Sequence, residues 1–217
     1  MPLTWADALK NKKYLIHLVG WLIGLGIFIT ILPYYFNNVL LPKPGVVLND
    51  WVFTRLNPRD WSTEIFFLIF AVPVLFFLFN FRKPEKVLAS IQCYVVVNFM
   101  RITSLYLFTL ETPEGIIPLV DPFLEKVAYG GNAIFTKDLF FSGHTSTLCI
   151  IFLLEDRRIL KVLILISTIL IGILLIWQRV HYTIDVLGAI IVTSLVFEGI
   201  NWLNRRTFDM VNYHKKL

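Results

Sequence analysis

Two short strings hold the residues best suited to chemistry: Asp138-Leu-Phe-Phe-Ser142-Gly143-His144-Thr145 and Arg179-Val-His181-Tyr-Thr-Ile-Asp185. Each places a histidine at the expected start of an apolar helix. Two histidines that reach one point, one of them backed by an aspartate, meet the needs of phosphoryl transfer through a covalent phosphohistidine.

His181 and Asp185 are spaced i, i+4, so they share one face of a helix. A carboxylate beside an imidazole fixes its tautomer and stabilises the charge that develops when the other nitrogen attacks. A pair that merely tethers two helices has the same spacing. His144 follows Ser142-Gly143. Gly143 permits close backbone approach to a ligand, and the free N–H groups of a helix start attract anions. Ser142 can cap the helix and donate its hydroxyl to phosphate; an ordinary cap also explains it. Asp138 lies just before that helix, where it either orients His144 as acid and base or is a solvated loop carboxylate. Arg101 lies in the middle of an apolar run, too deep to snorkel, and must face the protein interior and an anion. Phosphate suits its planar fork; an ion pair with Glu198 or Asp185 is the plainer role. Arg179 is a second phosphate candidate, or an interfacial arginine.

The elements that must position these residues follow from composition. The chain has 217 residues, 57% of them hydrophobic and 16% charged. That charge content is well below the roughly 25% usual for soluble domains, so an integral membrane protein of one domain, 1–217, is expected. The net charge of +5 is no sign of nucleic-acid binding, because the basic residues cluster between apolar runs. Six runs approach the roughly 20 residues that a span needs: 14–36, 62–81, 87–110, 139–154, 159–177 and 181–203. The first is too long for a signal peptide core and is read as a retained span. The fourth is the weakest. Lys and Arg concentrate before the first run, between the second and third, between the fourth and fifth, and after the sixth. An all-α, six-helix transmembrane bundle with both termini cytoplasmic is therefore expected. His144 and His181 then enter the membrane at one depth from the non-cytoplasmic side, which can be periplasmic, extracellular or lumenal. Two longer loops, 37–61 and 111–138, lie on that side. The first carries Trp51 and Trp61 as interfacial anchors, and the second has an apolar part suited to an interfacial or re-entrant helix.

At these residues the chain resembles the lipid phosphate phosphatase superfamily, and more narrowly its sphingomyelin-synthase-like branch. Asp138 through Thr145 match that branch's Asp-x3-Ser-Gly-His-Thr motif, with Thr136-Lys137 in place of its preceding Cys-Gly. His181, Tyr182, Thr183, Asp185, Val186, Ile190 and Phe197 match its second motif in register, while Ile200-Asn201 stand where it has Tyr-His. The general phosphatase pattern fits less well, since Phe141 and Leu175 replace its proline and arginine. The resemblance implies that His181 is the nucleophile, Asp185 its partner, and His144 the acid and base for the leaving and entering oxygens. It also implies an active-site role for Asp138 and for a loop glutamate, to which Glu125 corresponds best.

The reading is a membrane lipid phosphotransferase. A phospholipid donor enters from the bilayer, its phosphate lies near Arg101, Arg179, Ser142 and Gly143, and the head group passes to a lipid hydroxyl of ceramide or diacylglycerol. Water as acceptor makes the same residues a lipid phosphatase or phospholipase C-like hydrolase. A non-catalytic lipid-binding or transport protein is the reading from another class. No cofactor and no metal site is expected, since arginines and helix-start amides can offset phosphate charge. Cys93 and Cys149 sit in apolar runs as small core residues. His17 reads as a core or interfacial histidine, the phenylalanines of the second run as lipid-facing or packing residues, and the Tyr213-His214-Lys-Lys tail as a cytoplasmic anchor.

Overall fold

A computed structural model describes residues 4–119 and 137–208. Among these the protein is all-helical, with one isolated bridge between Val46 and Leu110 and no strands. A short helix α1 (Trp5–Lys10) precedes α2 (Lys12–Tyr35), which continues as a π turn, Phe36–Leu40. Then come α3 (Ser62–Asn80), α4 (Pro84–Leu107), α5 (Gly143–Leu154), α6 (Arg158–Trp177) and α7 (Thr183–Thr207).

Local chemistry sets these boundaries. The Asn11 side chain accepts the N–H groups of Lys13 and Tyr14 and so starts α2. Near its other end Pro33 cannot donate to the helical ladder, and the helix widens into its π turn just beyond. Asp60 accepts from the N–H and hydroxyl of Ser62 at the start of α3. Pro84 occupies the first turn of α4, where its missing N–H costs nothing. Glu155 ends α5 and begins α6. One carboxylate oxygen accepts the N–H groups of Asp156 and Arg157 at 3.0 and 2.9 Å, and the other accepts from Asn80 at 2.7 Å.

Among the described residues five helices are long and apolar enough to cross a membrane: α2 with its π turn, α3, α4, α6 and α7. The fourth expected span differs. Residues 137–142 are not helical, and α5 has 12 residues. At about 1.5 Å per residue it rises roughly 18 Å, against a hydrocarbon core of about 30 Å. The glycine and serine that build its start also shorten it.

The core lies where α5 packs between α4, α6 and α7 and against α3, around Phe76, Cys93, Val97, Phe141, Leu148, Ile164, Leu175 and Phe197. Of the phenylalanines in α3, Phe66 and Phe76 are buried, whereas Phe67, Phe70, Phe77 and Phe79 face outward. Gln92 of α4 and Asn204 of α7 exchange two amide hydrogen bonds at 3.1 and 2.7 Å. This buried pair pins the register of two helices that apolar packing alone would let slide. The first and last helices end together: Trp5 donates to the Phe81 carbonyl, Tyr14 to that of Pro84, and Tyr14 packs on Phe208. The apolar part of the 111–138 loop, expected as an interfacial helix, falls largely outside the described residues, as does the Tyr213-His214 tail.

Candidate active site

Opposite that end, two helix starts are fastened to each other. Ser142 caps α5 with its hydroxyl, which accepts the Thr145 N–H at 3.3 Å. The Ser142 N–H itself donates to the main-chain carbonyl of Asp185 at 3.1 Å. A residue just before α5 is thus bonded into the first turn of α7.

Asp185 serves both helix and histidine. Its Oδ2 accepts the Tyr182 N–H at 2.9 Å and lies 3.3 Å from His181 Nδ1. Asp185 is fully buried and His181 nearly so. Ionised Asp185 favours the tautomer with the proton on Nδ1, which leaves Nε2 with a free lone pair. The other carboxylate oxygen, Oδ1, is buried and has no hydrogen-bond partner among the described residues.

Arg101 reaches across from α4. Its Nε donates to the Phe141 carbonyl at 2.9 Å, and its guanidinium forms an ion pair with Asp138. The anion expected opposite Arg101 is therefore Asp138, not Glu198, which is exposed, or Asp185. The guanidinium lies so close to Gly143 that a Cβ there would meet its carbon at 3.0 Å and two of its nitrogens at 3.2 Å. Only glycine admits this approach without displacement. His144, the next residue, sits in the first turn of α5, whose start is bonded to the first turn of α7 at Asp185. His144, His181, Asp185, Asp138, Arg101, Ser142 and Gly143 thus form one cluster.

Arg179 is used otherwise. Its Nη1 donates to the Glu114 carbonyl at 2.7 Å, and its Nη2 to the carbonyls of Phe53 and Leu56 at 2.9 and 3.3 Å. Its backbone φ of 60° lies in the left-handed region, unusual for a side chain of this size. The three carbonyl bonds hold it there and bind the 41–61 and 108–119 segments to the start of α7. Glu125 lies outside the described residues.

Several supporting residues carry no local signal. Asp50, in the segment between α2 and α3, caps α7 from 133 positions away, accepting the Thr183 N–H at 2.6 Å and its hydroxyl at 3.1 Å. The Tyr182 hydroxyl donates to the Glu111 carbonyl at 3.0 Å and accepts the Leu48 N–H at 3.3 Å. Gln178 is fully buried. It accepts from the Trp61 N–H at 2.8 Å and donates to Ser62 and to the Ile117 carbonyl at 3.0 and 3.1 Å. Lys137 donates to Glu111 at 2.7 Å and to the Lys43 carbonyl at 3.0 Å. The Lys137 bond holds the Glu111 carboxyl below the usual carboxylate range. Among the described residues no group of three or more His, Cys, Asp or Glu could hold a metal ion.

Residues 137–203 match the family model described as PAP2 superfamily C-terminal. The match supports membership of the PAP2 superfamily. It spans both histidine-bearing helix starts and the helix between them, and covers less than half of the chain. No curated protein matches the chain. The PAP2 match points to phosphatase- or phosphotransferase-type chemistry on lipids, and the long apolar helices to a multi-pass membrane protein.

Proposed function

We propose that the protein is a lipid phosphotransferase that moves a phosphoryl head group from a phospholipid to a lipid hydroxyl through a phosphohistidine. The observation that carries this reading is the fastening of the two helix starts by the Ser142–Asp185 main-chain bond beneath Arg101. It supports a fixed pair of histidines at one point rather than two independent helix caps.

In this mechanism His181 Nε2 attacks phosphorus, forming an N–P bond as the ester P–O bond breaks. Asp185 stabilises the imidazolium through Nδ1–H. His144 gives its proton to the departing lipid oxygen. In the second half, His144 takes the proton of the incoming hydroxyl as that oxygen attacks phosphorus and releases His181. Arg101 and the amides at the start of α5 offset the charge on the phosphoryl oxygens, which is where most of the catalysis in such transfers lies. Asp138 holds Arg101 in the resting state, and the entering phosphate competes with it for the guanidinium. The active site faces the non-cytoplasmic side in this reading.

In a second reading water is the acceptor and the same residues hydrolyse the lipid phosphate. Purified protein in vesicles with a phospholipid labelled in its head group, with and without ceramide or diacylglycerol, separates the two. Transfer predicts labelled lipid product that rises with acceptor. Water-soluble product at a rate indifferent to acceptor would replace transfer by hydrolysis.

A further inference from the structure

We infer that the end of the bundle opposite the histidines holds a binding site for the head group of an anionic phospholipid. A cavity of about 390 Å³ opens there between the start of α2 and the end of α7, lined by Lys13, Ile16, His17, Arg206 and Thr207. Two cations and an imidazole converge on it, and none of its described lining residues is acidic. Among the described residues neither Lys13 nor Arg206 forms an ion pair. Glu198, on the same helix, lies two turns from Arg206, roughly 12 Å along the axis.

The cavity has a built wall. Tyr14, Leu88 and Ala8 pack with Phe208 behind it, and the His17 ring meets that of Phe208 at 5.4 Å. The Arg206 guanidinium stacks over Trp202 at 4.1 Å. Stacking engages its face and leaves the N–H edge, which suits two phosphate oxygens at once.

The rest of the cleft selects a lipid over a free ion. Helix α2 packs chiefly along α4 and barely buries its own surface. Ile16 lines the cavity, and Val19 and Ile23 on α2, with Leu195 and Trp202 on α7, are exposed on the two helices that lead away from it. In a bilayer these faces meet acyl chains, so the anion presented to the cations from the same side is a lipid phosphate. A phospholipid satisfies both, with phosphate at the cations and acyl chains along the helices. Basic pockets between membrane helices act in this way. The site is separate from the catalytic cluster: Arg206 lies the whole length of α7, roughly 35 Å, from His181.

The test uses the purified full chain in neutral detergent at physiological salt, titrated with fluorescent phosphatidylglycerol or phosphatidylcholine. Two double variants remove equal charge at this end: Lys13→Gln with Arg206→Gln in the cavity, and Arg82→Gln with Arg158→Gln outside it. All four positions are exposed, so folding is preserved. The cavity pair is expected to weaken phosphatidylglycerol binding roughly 20-fold, at about fivefold per cation near an anionic lipid. The outside pair should change it less than about threefold, and phosphatidylcholine should bind weakly throughout. Equal losses in both double variants would reduce the effect to diffuse charge and overturn the site. So would equal affinity for phosphatidylcholine. Displacement of the lipid by millimolar inorganic phosphate would reassign the cavity to a free anion and overturn the lipid reading.

Discussion

Gly143→Ala gives the sharpest test of the catalytic geometry, because it adds one methyl group at the point where two helices and Arg101 converge. The new Cβ would lie 3.0 Å from the guanidinium carbon and 3.2 Å from Nε and Nη1 of Arg101. Ordinary carbon contacts are about 3.5–4.0 Å, so Arg101 or the start of α5 must give by a few tenths of an ångström. The start of α5 is fastened through Ser142 to Asp185, and Arg101 is held by the Phe141 carbonyl. Overpacking of this kind costs about 1–3 kcal/mol. Alanine regains part of that as the better helix former, so thermal stability should fall little. Activity should fall much more. A misplacement of about 1 Å costs on the order of a hundredfold, so a shift of a few tenths of that predicts roughly a fivefold loss in kcat/KM. The assay is release of a labelled head group in mixed micelles, run beside thermal unfolding. Gly199→Ala is the control, since nothing lies within 4 Å of its added Cβ. A Gly143→Ala protein with kcat/KM within about twofold of wild type would refute the claim that Arg101 must sit against this backbone.

Asp185→Asn should keep α7 folded through its remaining bonds yet lower turnover by roughly 10⁴-fold, as loss of the partner carboxylate does in histidine-based catalysis; single-turnover quenching should show no phosphoenzyme accumulating. Asp50→Ala removes both bonds to Thr183 and should cost about 1 kcal/mol in stability, read as a lower Tm, with reduced turnover because His181 lies two residues from the lost cap. Glu111→Gln tests the outer loops through pH. The Lys137 bond holds the Glu111 carboxyl below its usual 4.5, so its contribution is complete above that value and disappears as pH falls through the lower folded-state value. The Tm advantage of wild type over Glu111→Gln should accordingly be present at neutral pH and vanish in acid; an advantage independent of pH would show that the ion pair is not its source.

Local patterns are what the amino-acid sequence determines by itself. Apolar runs had to become helices, since a buried backbone in lipid must satisfy its own hydrogen bonds. The i, i+4 spacing of His181 and Asp185, and the Ser-Gly-His start of α5, depend only on neighbours within a turn. Even the weakness of the fourth apolar run was legible, and it corresponds to a helix of 12 residues. Partners across the chain were not legible. The placement of Arg101 mid-run demanded an anion, but Asp138 was selected over Glu198 and Asp185 by the way α4 packs on the approach to α5. The expected phosphate contact of Arg179 competes with three carbonyls that only the folded loops bring within reach. Asp50, Gln178 and the Tyr182 hydroxyl act over separations of about 60 to 130 residues, where no periodicity or spacing rule carries information. Short-range geometry is written into neighbouring residues, whereas the choice among distant partners is made by packing, which alone decides which buried polar groups must satisfy one another.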